Sequence, residues 1–384
     1  MKLTRLCLGA AASLTACLLL GGSPSEAHDP PASKWRVSCF AYRDVNRNGL
    51  YDMADRPYAG LEVALIRPDG SRTRSFSNIS GFANFEMGFG NFDKMQIYEA
   101  GEHTFEAYPP TGFETTSDAR AQTIEFVQHD RAGGGMVAKS NCVPMGLAPK
   151  LFVAGTVSQK DLGADIVAEL VPAAGKPVAL KLDDKGIFFQ HAGPGNYTAR
   201  FADKSSGKIL ERPLELSEHP VVLSVISSLD QPQAKQGPAK TVTFDDLTVS
   251  DTLYEIPSGY GGLFWWQWIA THHKFYNGYG YINGTSSGEF IAYNSSGQPG
   301  FMWTENGETF DFVGANINVA WPEGQEERVH IKAWRGDQLV HHDTLFLRTT
   351  GSLYFAAGYR GITKLEFTRP NSERIVIDDF SFRK

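Results

Sequence analysis

Six oxygen-bearing residues between Asp44 and Asp55 have the spacing of a calcium-binding loop. Positions 1, 3, 5, 7, 9 and 12 of such a loop supply oxygen ligands, and position 6 is glycine because the chain turns sharply there. Gly49 stands at position 6 of this loop, and the ligand positions are taken by Asp44, Asn46, Asn48, Leu50, Asp52 and Asp55. The spacing predicts a Ca²⁺ site in which Leu50 binds through its main-chain carbonyl.

The segments on either side of this loop read as strands. Residues 37–42 and 60–66 both alternate apolar and polar side chains, whereas an EF-hand would flank the loop with helices. We therefore expect a calcium ion that joins two strands of a β-structure and performs no chemistry.

Two pairs of aspartates near the ends of the last 145 residues form a second candidate for calcium. Asp245-Asp246 follows the first strand-like run of this segment, and Asp378-Asp379 lies in the last one. The first and last strands of a jelly roll are often neighbours, and four carboxylates cannot share a small buried volume without a cation. A site that includes Asp245 and Asp379 is one expectation, and two acidic strand ends in solvent are the alternative.

An aromatic run at residues 260–269 is apolar on both faces of a strand. Leu263, Trp265 and Ile269 share one face, while Phe264, Trp266 and Trp268 share the other. One face can belong to the core, and the other must be covered or must bind something.

Exposed aromatic rings beside amide and carboxylate groups are suited to sugar rings. The predicted ligand-binding residues are Trp266, Trp268, Tyr276, Tyr279, Asn277, Asn283 and Glu289. For any single aromatic residue of this group, a place in the sandwich core is the alternative.

The beginning of the chain resembles a secretory signal over residues 1–27, with Lys2 and Arg5 before an apolar run. A lipidated Cys17 is the alternative, because residues 14–17 fit a lipoprotein box. In an exported chain, Cys39 and Cys142 are expected to form a disulfide. The net charge of −7 argues against nucleic acid as a partner, and no later apolar run has the length of a membrane span.

Strand-like runs and turn dipeptides predict an all-β protein with three modules. The expected order is a β-sandwich at 34–147, a second sandwich at 150–228, a Pro/Gln linker at 229–239 and a jelly roll at 240–384. Six of the seven tryptophans lie in the third module, which is therefore the expected binding module.

Two family resemblances accompany these patterns. The calcium loop, followed by residues 81–85 and by 101–113 with its Pro-Pro-Thr-Gly-Phe ending, resembles the SdrD B-like or Cna B-like domains of bacterial surface adhesins. That resemblance implies a prealbumin-like or immunoglobulin-like sandwich used as a spacer, and the second module resembles another such domain. Residues 244–247, 256–265, 310–315 and 320–321 resemble carbohydrate-binding-module-like jelly rolls.

The expected function is non-catalytic binding of a polysaccharide or cell-surface glycan by an exported, calcium-binding protein. In this scheme the first two modules are spacers that hold the jelly roll at a distance. Adhesion or assembly through a protein partner is the main alternative. A glycoside-active enzyme is a third possibility, for which Glu289, Glu305, Glu308 and Asp311 are available carboxylates without a recognisable pairing.

Overall fold

The computed structural model describes residues 36–87, 96–128, 136–158, 166–225, 232–247, 253–321, 326–371 and 373–384. Strands make up 55% of the described residues and helix 4%, so the all-β prediction is confirmed. The predicted signal sequence, Cys17 and the first three residues of the predicted linker lie outside the described residues.

The first module is a sandwich of two sheets over a core of its own. One sheet has the order β2-β1-β10-β7 with β5 beside β1, and the other has the order β4-β3-β6-β8-β9. The disulfide between Cys39 and Cys142 is present, with a Cα–Cα distance of 5.1 Å. The strands are β1 Arg36–Arg43, β2 Arg56–Pro57, β3 Glu62–Ile66, β4 Arg72–Phe76, β5 Phe82–Glu86, β6 Gly101–Tyr108, β7 Phe113–Thr115, β8 Ala121–Gln128, β9 Met136–Ala138 and β10 Met145–Pro149.

The second module has one sheet of its own and shares another. Its own sheet has the order β13-β12-β15-β16, while β14-β11-β17 begins a larger sheet that continues into the third module. The strands are β11 Phe152–Thr156, β12 Ile166–Pro172, β13 Val178–Ala179, β14 Ile187–His191, β15 Gly195–Asp203, β16 Ile209–Leu216 and β17 Val221–Leu223.

The third module is a sandwich whose two sheets enclose the largest apolar core of the described residues. A five-stranded sheet of order β20-β23-β29-β25-β26 faces the order β27-β24-β30-β22-β21-β19, with β18 beside β30 and β28 beside β24. The elements are β18 Lys240–Val242, β19 Leu253–Glu255, β20 Leu263–Trp266, β21 Trp268–His272, α1 Tyr279–Gly284, β22 Phe290–Asn294, β23 Gly300–Thr304, β24 Phe310–Val319, β25 Glu327–Arg335, β26 Gln338–Leu347, β27 Leu353–Ala356, β28 Tyr359–Ile362, β29 Lys364–Thr368 and β30 Ile375–Arg383, with 3-10 turns at Tyr260–Gly262 and Ser295–Gly297.

The second and third modules share one sheet of eleven strands. Strand β17 pairs in parallel with β27, with Val222 opposite Phe355. Edge strands left open invite pairing with other chains, and this junction covers two edges at once. Tyr354 and Ala356 of the third module also pack against the core of the second, so the two modules are joined by backbone hydrogen bonds as well as by apolar contact.

The first module packs directly against the third around helix α1. The Asn283 side chain donates to the carbonyls of Ala59 and Thr349 and accepts from the Ala59 N–H, at 2.9, 3.0 and 3.1 Å. The Tyr58 hydroxyl donates to the Thr350 carbonyl at 2.9 Å. The expectation that the first two modules hold the jelly roll at a distance is therefore wrong, because buried polar groups of one module satisfy those of another.

Candidate functional site

Five aromatic side chains from β20, β23 and β25 lie on the outer surface of the five-stranded sheet, and Phe346 of the edge strand β26 is exposed on the same surface. Because side chains of a strand alternate between the two faces, the neighbours Leu263, Trp265 and Met302 are buried in the core. We call the outer group the aromatic face, and its members are Phe264, Trp266, Phe301, Trp303 and Trp334.

The register of the strands places these rings side by side. Phe264 lies opposite Trp303, with ring centroids 5.7 Å apart and planes inclined by 14°, so the two rings are stacked. Trp266 lies opposite Phe301 and is 58% exposed, the largest exposure of any aromatic residue on this face. The other four rings are half-buried.

Charged groups stand between the rings. The Lys364 ammonium lies 4.2 Å from the ring centroid of Trp334 and 5.8 Å from that of Phe301, which is the arrangement of a cation–π contact. Beside them, the Lys332 ammonium and the Glu366 carboxylate form an ion pair at 3.2 Å. The surface thus combines flat apolar rings with hydrogen-bond donors and an acceptor, and such a surface can receive a sugar ring and its hydroxyls.

Of the seven residues predicted to bind a ligand, only Trp266 lies on the aromatic face. Trp268 is 1% exposed, and its ring meets Phe367 edge-on at 5.6 Å, so the prediction for Trp268 is wrong. The cause is Gln267, whose φ of 64° breaks the strand between the two tryptophans. Strands β20 and β21 consequently belong to opposite sheets, and the alternation does not continue from Trp266 to Trp268.

Three other predicted residues lie on the opposite side of the sandwich. Tyr276 stacks on Tyr281 with centroids 5.1 Å apart, and Tyr279 lies against Gly60 of the first module, where an added Cβ would come within 2.9 Å of the ring. Asn283 is 3% exposed and its amide is used in the module contact described above. For Asn283 the prediction is wrong, because its polar atoms already bind the backbone of Ala59 and Thr349.

Tyr276 belongs to a second aromatic group that is closed by a cation. The Arg374 guanidinium lies 4.4 Å from the Tyr276 ring, 4.8 Å from Tyr293 and 5.4 Å from Trp321. It also donates to the Tyr281 hydroxyl at 2.9 Å. We call this group the closed aromatic cluster, and its members are Tyr276, Tyr281, Tyr293, Trp321 and Arg374.

The last two predicted ligand residues are exposed but stand apart from the aromatic face. Asn277 precedes α1 at the surface, and the Glu289 carboxylate lies 3.5 Å from the His272 ring before β22. The structure does not bring either residue to Trp266.

Four members of the aromatic face were not predicted from the sequence as ligand-binding residues. For β23 the signal was present, since Gly-Phe-Met-Trp-Thr alternates around one core methionine. That signal shows which side chains share a face, but only the pairing with β20 shows that Phe301 and Trp303 join Trp266.

The predicted calcium loop forms a compact turn around Asp44. The Asp44 carboxylate is buried and accepts the backbone N–H groups of Asn48 and Gly49, at 3.1 and 2.7 Å. Gly49 has a φ of 77°, and a Cβ there would come 3.0 Å from the Thr116 carbonyl oxygen, so glycine is required at this position.

The remaining carboxylates of the loop crowd one another. Burial raises the pKa of Asp55, and the charges of Asp52 and Asp44 raise it further. Burial also raises the pKa of Tyr42 to about 12, with Asp44 the next cause, and the Tyr42 hydroxyl has no hydrogen-bond partner. The three carboxylates accept hydrogen bonds from N–H groups but form no ion pair among the described residues, and carboxylate oxygens are the ligands that a hard cation such as Ca²⁺ prefers.

A calcium ion in this loop would need amide and main-chain carbonyl ligands in addition to carboxylates. Within the described part of the chain, no group of three or more His, Cys, Asp or Glu side chains is arranged to hold a metal ion. The Asn46 and Asn48 amides donate through nitrogen to Asp52, at 2.7 and 3.0 Å, so both amides would have to turn to present oxygen. The residues that would supply the ligands are Asp44, Asn46, Asn48, Asp52 and Asp55, with the carbonyl of Leu50.

The second acidic group converges as the strand pairing predicts. Strands β18 and β30 pair with Val242 opposite Phe380, and loop 286–290 joins the two acidic pairs. Asp378 is fully buried and accepts the backbone N–H groups of Ser286 and Ser287 at 2.7 and 3.0 Å.

Asp245 and Asp379 bind the same loop. Asp245 accepts the backbone N–H groups of Glu289 and Phe290 at 2.7 and 3.0 Å, and Asp379 accepts the Ser287 hydroxyl at 2.6 Å. Asp379 also accepts the Asn316 amide of β24 at 2.9 Å. The other amide atom, Asn316 Oδ1, is buried without a partner. Asp246 turns away and accepts the Tyr260 hydroxyl. The three carboxylates of Asp245, Asp378 and Asp379 are bound by hydrogen-bond donors and are not arranged as a metal-binding group, so a second calcium site stays a prediction.

The carboxylates considered for glycoside chemistry do not converge. Glu289, Glu305 and Glu308 are exposed on loops, whereas Asp311 is buried. The Asp311 carboxylate accepts the backbone N–H groups of Lys235 and Gly361 at 2.6 and 2.8 Å. Its role in the structure is to hold the linker against β28.

No family model matches the chain, and no curated protein sequence matches it. The resemblance to SdrD B-like or Cna B-like domains therefore stays a prediction. No helix among the described residues is long and apolar enough to cross a bilayer.

Several solved structures are distantly similar to this chain. The Bacillus anthracis TIE protein is 13% identical with a TM-score of 0.22, over 49% of this chain and 32% of that one. The CBM51-2 domain of Clostridium perfringens ZmpB, in complex with GlcNAc and with INT domains, is 12% identical with a TM-score of 0.23. The similarity covers 61% of this chain and 48% of that one. A mutant major pilin of Streptococcus pyogenes is 9% identical with a TM-score of 0.18, over 85% of this chain and 99% of the pilin. The chain thus spans about a third of the TIE protein, and TM-scores this low carry no functional argument.

Proposed function

We propose that this protein is an exported, non-catalytic glycan-binding protein whose ligand stacks on the aromatic face. The observation that carries the proposal is the platform of rings on one exposed sheet surface, with Trp266 more than half exposed at its edge. An exposed group of large aromatic rings indicates a binding surface in a monomeric protein.

The charges within the aromatic face favour a glycan over a protein partner. Charged residues are depleted in the buried centre of a protein interface. Here Lys332, Lys364 and Glu366 stand among the rings, and a protein partner would have to desolvate them. A sugar hydroxyl can instead accept from a lysine or donate to the glutamate while its ring covers an aromatic face.

The two acidic groups complete this proposal as structural calcium sites. Calcium in the loop of the first module would neutralise Asp44, Asp52 and Asp55, and a second ion would neutralise Asp245 and Asp379. Both ions would stabilise the modules without contacting the glycan, because neither group lies on the five-stranded sheet. The disulfide between Cys39 and Cys142 supports an extracellular or cell-surface location.

The test is retention of the full mature chain on insoluble polysaccharides and on a glycan array. We expect selective retention of the wild type, at least about tenfold weaker binding for Trp266→Ala, and unchanged binding for Phe76→Ala. Phe76 is a matched control because it is 52% exposed on β4 of the first module.

Two outcomes would contradict the proposal. Equal retention of Trp266→Ala and the wild type would remove the aromatic face from the binding site. Retention on no polysaccharide would favour the alternative, in which the aromatic face contacts a protein.

A further inference from the structure

A cleft of about 490 Å³ separates the second module from the third on the side away from the aromatic face. One wall is β16, the opposite wall is formed by β24 and β28, and linker residues 234–237 lie at its rim. This volume is in the usual range for small-ligand sites. The floor includes Leu223 and Tyr354 from the paired strands β17 and β27, so the shape of the cleft depends on a continuous sheet.

Three arginines that form no ion pair among the described residues line this cleft: Arg212, Arg360 and Arg383, of which Arg383 donates to the Gly237 carbonyl at 3.2 Å. Arg212 alternates with Leu210 and Leu214, which pack against the core of the second module, so its side chain lies on the inward face of β16. Its guanidinium donates one long hydrogen bond, 3.4 Å, to the Glu211 carbonyl. Arg360 lies on the opposite wall. Among the described residues, neither guanidinium forms an ion pair.

The arginines repel each other in this position. Burial lowers the pKa of Arg212, and the charge of Arg360 lowers it further. Two converging cations in a half-buried site are unfavourable unless an anion joins them.

The acidic groups nearby do not neutralise the pair. Glu211 and Glu215 alternate with Arg212 along β16 and are exposed, and the Glu211 carboxylate lies 3.9 Å from Arg200. Asp311 is already held by the backbone N–H groups of Lys235 and Gly361. The cleft therefore has two guanidiniums available to an incoming anion.

We propose that this cleft binds a carboxylate-bearing sugar residue, whose carboxylate is shared by Arg212 and Arg360. Guanidinium groups present planar pairs of donors that match a carboxylate. The Tyr354 ring and Leu214 supply apolar surface for the sugar ring. The choice of a sugar rests on the glycan-binding function proposed above, whereas the anion site does not.

An acidic peptide is the less favoured occupant. Strand β16 pairs with β15 alone among the described strands, so its other edge is open to strand addition. Pro213 lies in the middle of that strand and has no N–H to offer, which is a common device against strand addition.

The test is calorimetric titration of the full mature chain with glucuronate, glucose and acetate as probes. We expect saturable binding of glucuronate, with weaker or undetectable binding of glucose and acetate. Arg212→Gln and Arg360→Gln should each weaken glucuronate binding by about tenfold or more, since each removes a charge-assisted hydrogen bond. Arg120→Gln is the matched control, because it makes the same change at an exposed arginine of the first module.

The melting temperature of the ligand-free variants checks that the arginines serve binding and not folding. Removing one of two repelling cations should leave the melting temperature of Arg360→Gln equal to or above that of the wild type. A clear decrease would assign Arg360 a structural role and contradict the proposal.

The other outcomes are also decisive. Absence of glucuronate binding, or equal binding by Arg212→Gln, would overturn the anion site. Acetate binding as tight as glucuronate would overturn the sugar assignment and leave a simple carboxylate site. Because glucuronate is tested directly, these results do not depend on whether the aromatic face retains polysaccharides.

Discussion

The aromatic face and the closed aromatic cluster occupy opposite sides of the same sandwich and differ in what covers them. In the closed cluster, Arg374 lies against three rings, and α1 and the first module pack alongside. On the aromatic face, Lys364 contacts two rings, but Trp266 and its neighbours have no covering element among the described residues. Both groups are rich in aromatic residues. They differ in whether another part of the chain covers the rings.

This difference separates stability from binding. Residues of the covered side should matter for unfolding, because their removal leaves buried partners without contacts. Residues of the open side should matter for ligand retention alone. The predictions below test this contrast, beginning with the largest expected effect.

Exchange of the two neighbouring tryptophans for alanine should give opposite results. Trp268→Ala should lower the free energy of unfolding by about 4 kcal/mol, because it empties a core site against Phe367. Trp266→Ala should change it by less than about 0.5 kcal/mol, since its side chain is largely exposed. Urea unfolding followed by circular dichroism measures both, and equal losses would contradict the assignment of the two side chains.

The contact between the first and third modules should depend on Asn283. Asn283→Ala leaves the Ala59 N–H and the carbonyls of Ala59 and Thr349 without this partner, for an expected loss of about 3 kcal/mol. The matched control is Asn277→Ala, an exposed asparagine just before α1, with an expected change below about 0.5 kcal/mol. Thermal unfolding of both variants measures these changes. An Asn283→Ala protein as stable as the wild type would show that the modules are held by other contacts.

Removal of calcium should lower the melting temperature of the wild type. At a free Ca²⁺ concentration 100 times Kd, binding to the folded state contributes about 2.7 kcal/mol, which a chelator removes. Asp44→Asn should abolish most of the decrease in melting temperature that the chelator causes. Asp379→Asn should remove only the part of that decrease that comes from the second site.

Two results of this melting experiment would contradict the calcium assignment in the first module. One is an unchanged melting temperature with chelator. The other is loss of the effect only when Asp245 and Asp379 are changed.

Acid should weaken the contact between the second and third modules at His219 and Ser352. The His219 side chain is buried, its Nδ1 lies 3.1 Å from the Ser352 hydroxyl, and its Nε2 has no partner. Burial lowers the pKa of His219 well below 6.5, and the nearby charges of Arg43 and Arg56 lower it further, while Glu218 pairs with Arg43 at 3.3 Å.

The direction of the pH effect follows from these charges. Above pH 6.5 the imidazole is neutral in both states; below it, the unfolded chain takes up a proton that the folded chain excludes. The free energy of unfolding should therefore fall by up to about 1.4 kcal/mol per pH unit from this group. His219→Asn should have a shallower slope below pH 6.5, and identical slopes would contradict the assignment.

Sequence patterns predicted the features that depend on local spacing. The all-β fold, the disulfide between Cys39 and Cys142 and the pairing of the first and last strands of the third module are all present. Turn chemistry around Gly49 also follows from the spacing of the loop, although ion binding there stays a prediction.

Features that depend on distant pairing were not predicted. A positive φ at Gln267 moved Trp268 into the core, and no residue type at that position demands such a turn. The pairing of β17 with β27 joins residues more than a hundred positions apart and turned an expected separate module into part of a shared sheet. Asn283 was predicted as a polar ligand group because the sequence does not show that the first module packs on α1.

The most direct test of the aromatic face is oxidation of tryptophan by N-bromosuccinimide, read by peptide mass spectrometry with and without a retained polysaccharide. The proposal predicts that the glycan protects Trp266 from oxidation, while Trp321 in the closed aromatic cluster reacts to the same extent in both samples. Protection of Trp321 with Trp266 unprotected would place the ligand on the other side of the sandwich and contradict the account.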